Sequence, residues 1–342
     1  MTNFRDYIKL IRLPPRFLKT TAKYAAMVLI LWYLVHCSFI QVNLLHSLLQ
    51  NGVLLLFTGT LFIAMVLANA WRWRLLNAEQ RIDMGFWRTS LATYLGTAFN
   101  SLLPGNVGGD VMRAYYLLGR EPDKKSAVIL SVLLDRVTGL LGIFMIVSLM
   151  GLIHGSVSLS AGTHFHVFFM SCYFICGLTV AFFILSLMLP ERIGLREILH
   201  KRFSASRWVH PILSLLDAMH IYRHAKRTLV KCILISVLIQ LFIVLAIVQI
   251  ANMMHFPPVT LSSYAIAIAA TQVANLIPIT PGGIGIGEAA FVKVIMLLNP
   301  GISGPFATVF VAYRLIGMMV YLPGVVISFL RVPVRSFSRE QI

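Results

Sequence analysis

Apolar residues gather along this chain in long runs, neither alternating nor confined to one helical stripe. A helix needs about 20 apolar residues to cross a bilayer, and five runs meet that requirement plainly, at 24–40, 52–70, 126–149, 165–189 and 229–252. A sixth, at 305–330, includes Arg314 and Pro323. Two further apolar stretches, 89–118 and 263–299, are each broken in the middle, by LLPGNVGGD at 102–110 and IPITPGGIGIGE at 277–288. Each half is too short for a comfortable crossing, so the pattern predicts a re-entrant helical hairpin at both places. A pair of short, broken crossing helices is the alternative, and it preserves the parity of the chain. The predicted fold is therefore all-α, a polytopic membrane helix bundle. It has about six full transmembrane helices and two Pro/Gly-broken hairpins, in one domain over residues 1–342.

The basic residues orient the bundle. Segment 1–23 carries Arg5, Lys9, Arg12, Arg16, Lys19 and Lys23, and is placed inside. Alternating spans then put 41–51, 150–164 and 253–262 outside, and none of these contains Lys or Arg. The segments placed inside are basic: Arg72, Arg74, Arg81 and Arg88 in 71–88, Arg120, Lys124 and Lys125 after the first hairpin, many in 190–228, and Arg331, Arg335 and Arg339 at the end. That partition follows the positive-inside rule and predicts a cell inner membrane protein with both termini cytoplasmic. Within the long loop, Trp208, Ile212, Leu215, Leu216 and Met219 share one helical face over 204–224, as an interfacial helix or one packed on the bundle would.

Composition agrees with the pattern. Charged residues make up 12% of the chain, against about 25% in a soluble domain, and mean hydropathy is +0.83. A net charge of +17 would suggest nucleic acid in a soluble protein; here it flanks the spans, so no nucleic-acid partner is expected. No small-residue cleavage site follows the basic N-terminal segment. Cys37, Cys172, Cys176 and Cys232 lie in or beside apolar runs and form no disulfide framework. His154, His164 and His166 read as histidines of one outer loop, and neither a metal nor a cofactor is expected. GGIGIGE follows no βαβ pattern, and no phosphate-binding GxxxxGK[ST] loop occurs.

The two broken stretches resemble each other. The first reads Pro104, Gly105, Asn106, Val107, Gly108, Gly109, Asp110, and the second Pro281, Gly282, Gly283, Ile284, Gly285, then Glu288. An arginine follows each acid by 26 residues, from 110 to 136 and from 288 to 314. Asn100 and Asn275 precede the breaks. Three spans separate the hairpins, and an odd number inverts the second copy. Residues 52–149 form the first repeat, with its hairpin at 89–118, and 229–330 the second, with its hairpin at 263–299. Interrupted segments at matching positions in two halves point to a transporter with its substrate near the midplane.

Pro removes a backbone donor, so a Pro-Gly break at membrane depth frees polar groups that only protein or a wet cavity can satisfy. A restarting helix offers N–H groups suited to phosphate. The charges inside apolar segments are Asp110, Arg113, Asp135, Arg136, Glu288, Lys293 and Arg314. Each costs roughly 2.5–3.5 kcal/mol at a helix centre, so all are expected to face the interior and pair. Asp110 can meet Arg113 locally, while the repeat suggests Asp110 with Arg136 and Glu288 with Arg314. Arg113, Arg136 and Arg314 are candidates to bind a lipid phosphate, and the acids to hold them or exchange for it. Internal ion pairing without substrate is the competing account. Asn100 and Asn275 are candidates to cap or satisfy the broken helices, with direct substrate contact as the less favoured role.

FNSLLPGNVGGDVMRAYYL at 99–117, LLDRVTGLLG at 133–142 and PITPGGIGIGEAAF at 278–291 resemble the signature blocks of the lysylphosphatidylglycerol synthase transmembrane-domain, or flippase-like, family. The likeness spans about residues 10–330. It implies a bundle with re-entrant hairpins that, in bifunctional members, moves an aminoacylated phospholipid between leaflets. Those members carry a cytoplasmic aminoacyl-transferase domain, whereas this chain stops at Ile342, soon after the last apolar run. A stand-alone member that does not itself lysylate lipid is expected. The function this favours is a flippase for a phosphate-bearing lipid headgroup, not an enzyme. The alternatives are an intramembrane transferase of a lipid-linked glycan or aminoacyl-lipid pathway, and a non-transporting partner of a lipid-modifying enzyme. A second copy of the chain or such an enzyme is the protein partner considered.

Overall fold

The computed structural model describes His36, residues 42–102, 108–119, 121–157, Met170, Gly177, 221–222, 224–275 and 283–331. Among them the ordered elements are nine α-helices and one 3-10 turn. The helices are α1 (Val42–Gln50), α2 (Gly52–Glu79), α3 (Phe86–Leu102), α4 (Gly108–Leu118), α5 (Lys125–Val157), α6 (Lys226–Met253), α7 (Leu261–Ala274), α8 (Ile286–Leu298) and α9 (Phe306–Arg331). Four of them, α2, α5, α6 and α9, are long and apolar enough to cross a membrane. Apart from His36, Met170 and Gly177, the predicted spans at 24–40 and 165–189 lie outside the described residues, as do segment 1–23 and most of the 204–224 helix.

α2 shows why these helices belong in lipid. Its exposed residues include Val53, Leu56, Phe57 and Ile63, its buried ones Leu61, Phe62, Met65 and Val66. A helix apolar on both its packed and its outer face suits a hydrocarbon surround, not water. α6 lies in the middle of the bundle and packs on α2, α5, α7 and α9. Small residues allow the close crossings: a Cβ on Gly142 of α5 would lie 2.5 Å from Ser236 Cβ of α6. The largest core joins Phe62, Ile247, Ile250, Phe291, Ile295, Phe306 and Phe310.

Both broken stretches fold as helix pairs, α3 with α4 and α7 with α8. The longest of these four helices, α3, has 17 residues, about 26 Å at 1.5 Å per residue and short of a ~30 Å hydrocarbon core. α7 starts at the N-cap Thr260, whose hydroxyl accepts the Ser263 N–H at 3.3 Å. Pro104, Gly105, Pro281 and Gly282 lie outside the described residues.

Two boundaries differ from the sequence expectation. The second span was expected to end at 70, with 71–88 as a loop, but α2 continues to Glu79. Arg72 is buried rather than cytoplasmic; a charge with a buried partner does not end a helix, and no Pro or Gly intervenes before Gly85. Likewise α5 runs on to Val157, so the start of the expected outer loop, His154 included, is helical.

Candidate functional site

Each broken pair closes through an asparagine and a glycine. In the first, Asn100 Oδ1 accepts the Gly109 N–H at 2.7 Å. A Cβ on Gly96 would lie 2.9 Å from the Gly109 carbonyl oxygen, so α3 and α4 touch backbone to backbone there. In the second, a Cβ on Gly283 would meet Asn275 Oδ1 at 2.1 Å, and one on Gly287 at 2.8 Å. Gly283 and Gly285 have φ of 69° and 89°, a region that glycine enters without penalty. The Thr271 hydroxyl approaches the Gly287 carbonyl at 3.4 Å, at the position that matches Gly96.

That turn aims Glu288 inward. Its carboxylate accepts the Gly285 N–H at 2.6 Å, and its side chain is 1% exposed. Arg314 of α9 approaches it at 2.9 Å, off the N–H axis, so the attraction is chiefly electrostatic. The same guanidinium donates to the Gly283 carbonyl at 3.0 Å and lies 5.0 Å over the Phe310 ring. In the first copy the guanidinium of Arg136 pairs with Asp110, across α5 and α4. Both repeat-derived pairs are thus formed.

Arg113 departs from expectation. It is buried and donates to Asp135 Oδ2 at 3.0 Å, not to Asp110. Asp135 and Arg136 are consecutive on α5 and point to different partners, so α4 and α5 are joined by two crossed acid–arginine pairs. Asp135 also accepts from Arg72 at 2.7 Å, and Arg72 donates further to Ser236 and Asn69 at 2.7 and 2.9 Å. Sequence reading missed Arg72; the missing breaker between Trp71 and Gly85 was the signal that it belonged to the helix. Lys293 was expected to face the interior but is exposed, on the side of α8 away from Phe291 and Ile295. Its long stem lets the ammonium reach a polar region while the helix stays apolar.

A cavity of about 280 Å³ opens between the two broken pairs. Asn100 comes to it from the first pair, Asn275 and Gln272 from the second, and Arg314 from α9. Phe62, Phe310, Tyr313 and Tyr321 form an aromatic wall, with Phe62 4.9 Å from Tyr313 and 5.9 Å from Tyr321 between ring centroids. Gln272 exchanges both amide hydrogen bonds with Gln240 of α6, at 2.7 and 3.3 Å. Arg113, Asp135 and Arg136 are not among the residues that line it. Among the described residues no group of three His, Cys, Asp or Glu side chains converges as a metal would require.

Helices long and apolar enough to cross a membrane, packed around an aromatic-walled cavity, define a multi-pass membrane protein. The model of the family described as lysylphosphatidylglycerol synthase TM region matches residues 21–324, most of the chain. The chain belongs to that family, and so to membrane proteins related to lipid modification or translocation. No curated protein and no solved structure matches it significantly.

Proposed function

We propose that the chain is a lipid flippase of the cell inner membrane. A phosphate-bearing headgroup would enter the cavity between the two broken helix pairs while its acyl chains stay in the bilayer. The reading takes the pairs as re-entrant hairpins that enter from opposite faces, with both termini cytoplasmic, so that opening one side and then the other moves the headgroup across. The observation that carries it is the convergence of Asn100, Asn275 and Arg314, from both copies, on one cavity. Arg314 is held by Glu288 and by the Gly283 carbonyl, so an incoming phosphate would compete with an acid for a guanidinium already in place. No nucleotide-binding motif is present in the sequence, so a lipid gradient, the membrane potential or protons would drive transport.

The test is scrambling of a headgroup-labelled phospholipid in vesicles that contain the full chain. Arg314→Met would leave Glu288 buried without its partner and risks misfolding. The neutral pair Glu288→Gln with Arg314→Gln leaves neither charge buried alone and is the decisive variant. Transport should fall at least tenfold in it, as the loss of about 1.4 kcal/mol or more of headgroup binding would give. Wild-type scrambling by a folded double variant would overturn the proposal.

A further inference from the structure

We infer a second lipid site on the outside of the bundle, one that holds an anionic phospholipid of the surrounding bilayer against the joint between α2 and α3. It does not depend on what the inner cavity carries.

A groove of about 360 Å³ is lined by Ala64, Leu67, Ala68, Trp71 and Arg74 of α2 and by Phe86 of α3. The other α2 residues lie three, four, seven and ten positions after Ala64, so they form a single stripe along the helix. Ala64 and Ala68 supply the depression, because each has only a methyl where its neighbours carry long side chains. Along the stripe the chemistry changes in order: Ala64, Leu67 and Ala68, then Trp71, then Arg74. Ten residues of helix separate Ala64 from Arg74, about 15 Å of rise. A phospholipid presents the same sequence over a similar length, from acyl chain through the glycerol level to phosphate. Tryptophan at the middle position is what membrane interfaces select.

The turn after α2 completes the polar end. Trp71 is 52% exposed and Trp87 77%, and Arg74 and Arg88 are both exposed. Among the described residues no hydrogen bond or ion pair holds either guanidinium, although that of Arg72, one position from Trp71, has three partners. Two uncommitted guanidinium groups beside an apolar groove favour a ligand with an anionic head and an apolar tail. A free phosphate would use the arginines but leave the groove empty. A zwitterionic lipid would fill the groove with weaker attraction to the arginines.

Trp71 reports on the groove directly. The full-length protein would be placed in phosphatidylcholine nanodiscs, with brominated acyl chains introduced on phosphatidylglycerol or on phosphatidylcholine. The Trp71→Phe variant isolates the contribution of Trp71 to the quenching. Brominated phosphatidylglycerol should quench Trp71 at a mole fraction at least about fivefold lower than brominated phosphatidylcholine, the factor expected for each arginine at an anionic headgroup. Arg74→Gln with Arg88→Gln should remove the preference and leave fluorescence without quencher unchanged. Ala64→Phe with Ala68→Phe should weaken quenching by both lipids. Equal quenching by the two lipids in the wild type would overturn the inference. So would displacement of the phosphatidylglycerol effect by millimolar inorganic phosphate, which would assign the arginines to a free anion.

Discussion

The two copies of the repeat share a joint and differ in what lies behind it. In both, an asparagine reaches a glycine across the break, and the acid after that glycine pairs with an arginine 26 residues on. The asparagines before the breaks are 175 residues apart, and beyond the breaks the copies are offset by 178, from 110 to 288 and from 136 to 314. At that offset Arg113 matches Phe291 and Asp135 matches Tyr313. The first copy therefore has a buried Arg113–Asp135 pair, reinforced by Arg72, where the second has aromatic rings. In the second, Phe291 stacks on Phe310 at 5.4 Å and Phe310 on Tyr313 at 5.8 Å, and that row continues into the cavity wall. The comparison separates two jobs. The first copy is locked by charge, with Asp135 tied to α2 and α4. The second spends its interior on the face that meets the cavity.

The largest effect should come from breaking the lock. Asp135→Asn leaves Arg72 and Arg113 buried without a counter-charge, at a cost of about 3–5 kcal/mol. Tyr313→Phe, at the matching position, keeps the ring and should cost under about 1.5 kcal/mol as a near-isosteric change. Thermal midpoints of the solubilised protein would show it, with Asp135→Asn melting far below Tyr313→Phe. Replacing Arg72, Arg113 and Asp135 together by Met, Leu and Leu should recover most of the loss, because no charge is then left unpaired. Equal midpoints for the two single variants would mean that the charged cluster is not what holds the first copy.

Much of this was legible in the sequence, and the reasons differ by element. The crossing helices could be read because lipid demands long apolar runs whatever the packing. The Asp110–Arg136 and Glu288–Arg314 pairs could be read because the repeat states the same relation twice. Arg72 could not be read as a partner of Asp135, because hydropathy records where charge lies along the chain and not which way it points around a helix. The pairing of Arg113 with Asp135 rather than Asp110 was hidden for a related reason. Neighbours on a helix can always meet, and only the position of α5 shows that each had a better partner. The aromatic wall leaves no mark at all, since Phe62, Phe310 and Tyr321 sit in runs where any large apolar residue would look the same.

The joints themselves offer a finer contrast. A Cβ on Gly109 would lie 2.0 Å from the Gly96 carbonyl oxygen, which is backbone. A Cβ on Gly287 would meet the end of the Arg314 side chain at 2.6 Å. Both glycines are helical, so alanine gains up to about 1 kcal/mol of helix propensity at each, and overpacking costs about 1–3 kcal/mol. Gly109→Ala must push α3 from α4 and should lose about 1–2 kcal/mol net. Gly287→Ala must shift the Arg314 guanidinium and the Asn275 amide, 2.8 Å away, but both are side-chain ends, so it should lose less in thermal midpoint than Gly109→Ala. It should still slow lipid scrambling, because the displaced groups line the cavity. If Gly109→Ala melts like the wild type, the backbone contact at the first joint is looser than its geometry states.

The smallest effect should fall on the pair that the two copies share most visibly. The Arg136 side chain is 37% exposed and that of Asp110 15%, whereas Arg314 and Glu288 are 15% and 1% exposed. An ion pair with one partner that open to its surroundings is worth about 0–1 kcal/mol when water reaches it. Asp110→Asn keeps the shape of the side chain and should lower the thermal midpoint by no more than that energy implies. Added salt should narrow the gap between variant and wild type further, because exposed pairs are screened. A loss as large as that of Asp135→Asn, insensitive to salt, would mean that Arg136 faces hydrocarbon and not a wet opening. In that case the first copy would carry two buried charge locks, and the division of labour between the copies would rest on Phe291 and Tyr313 alone.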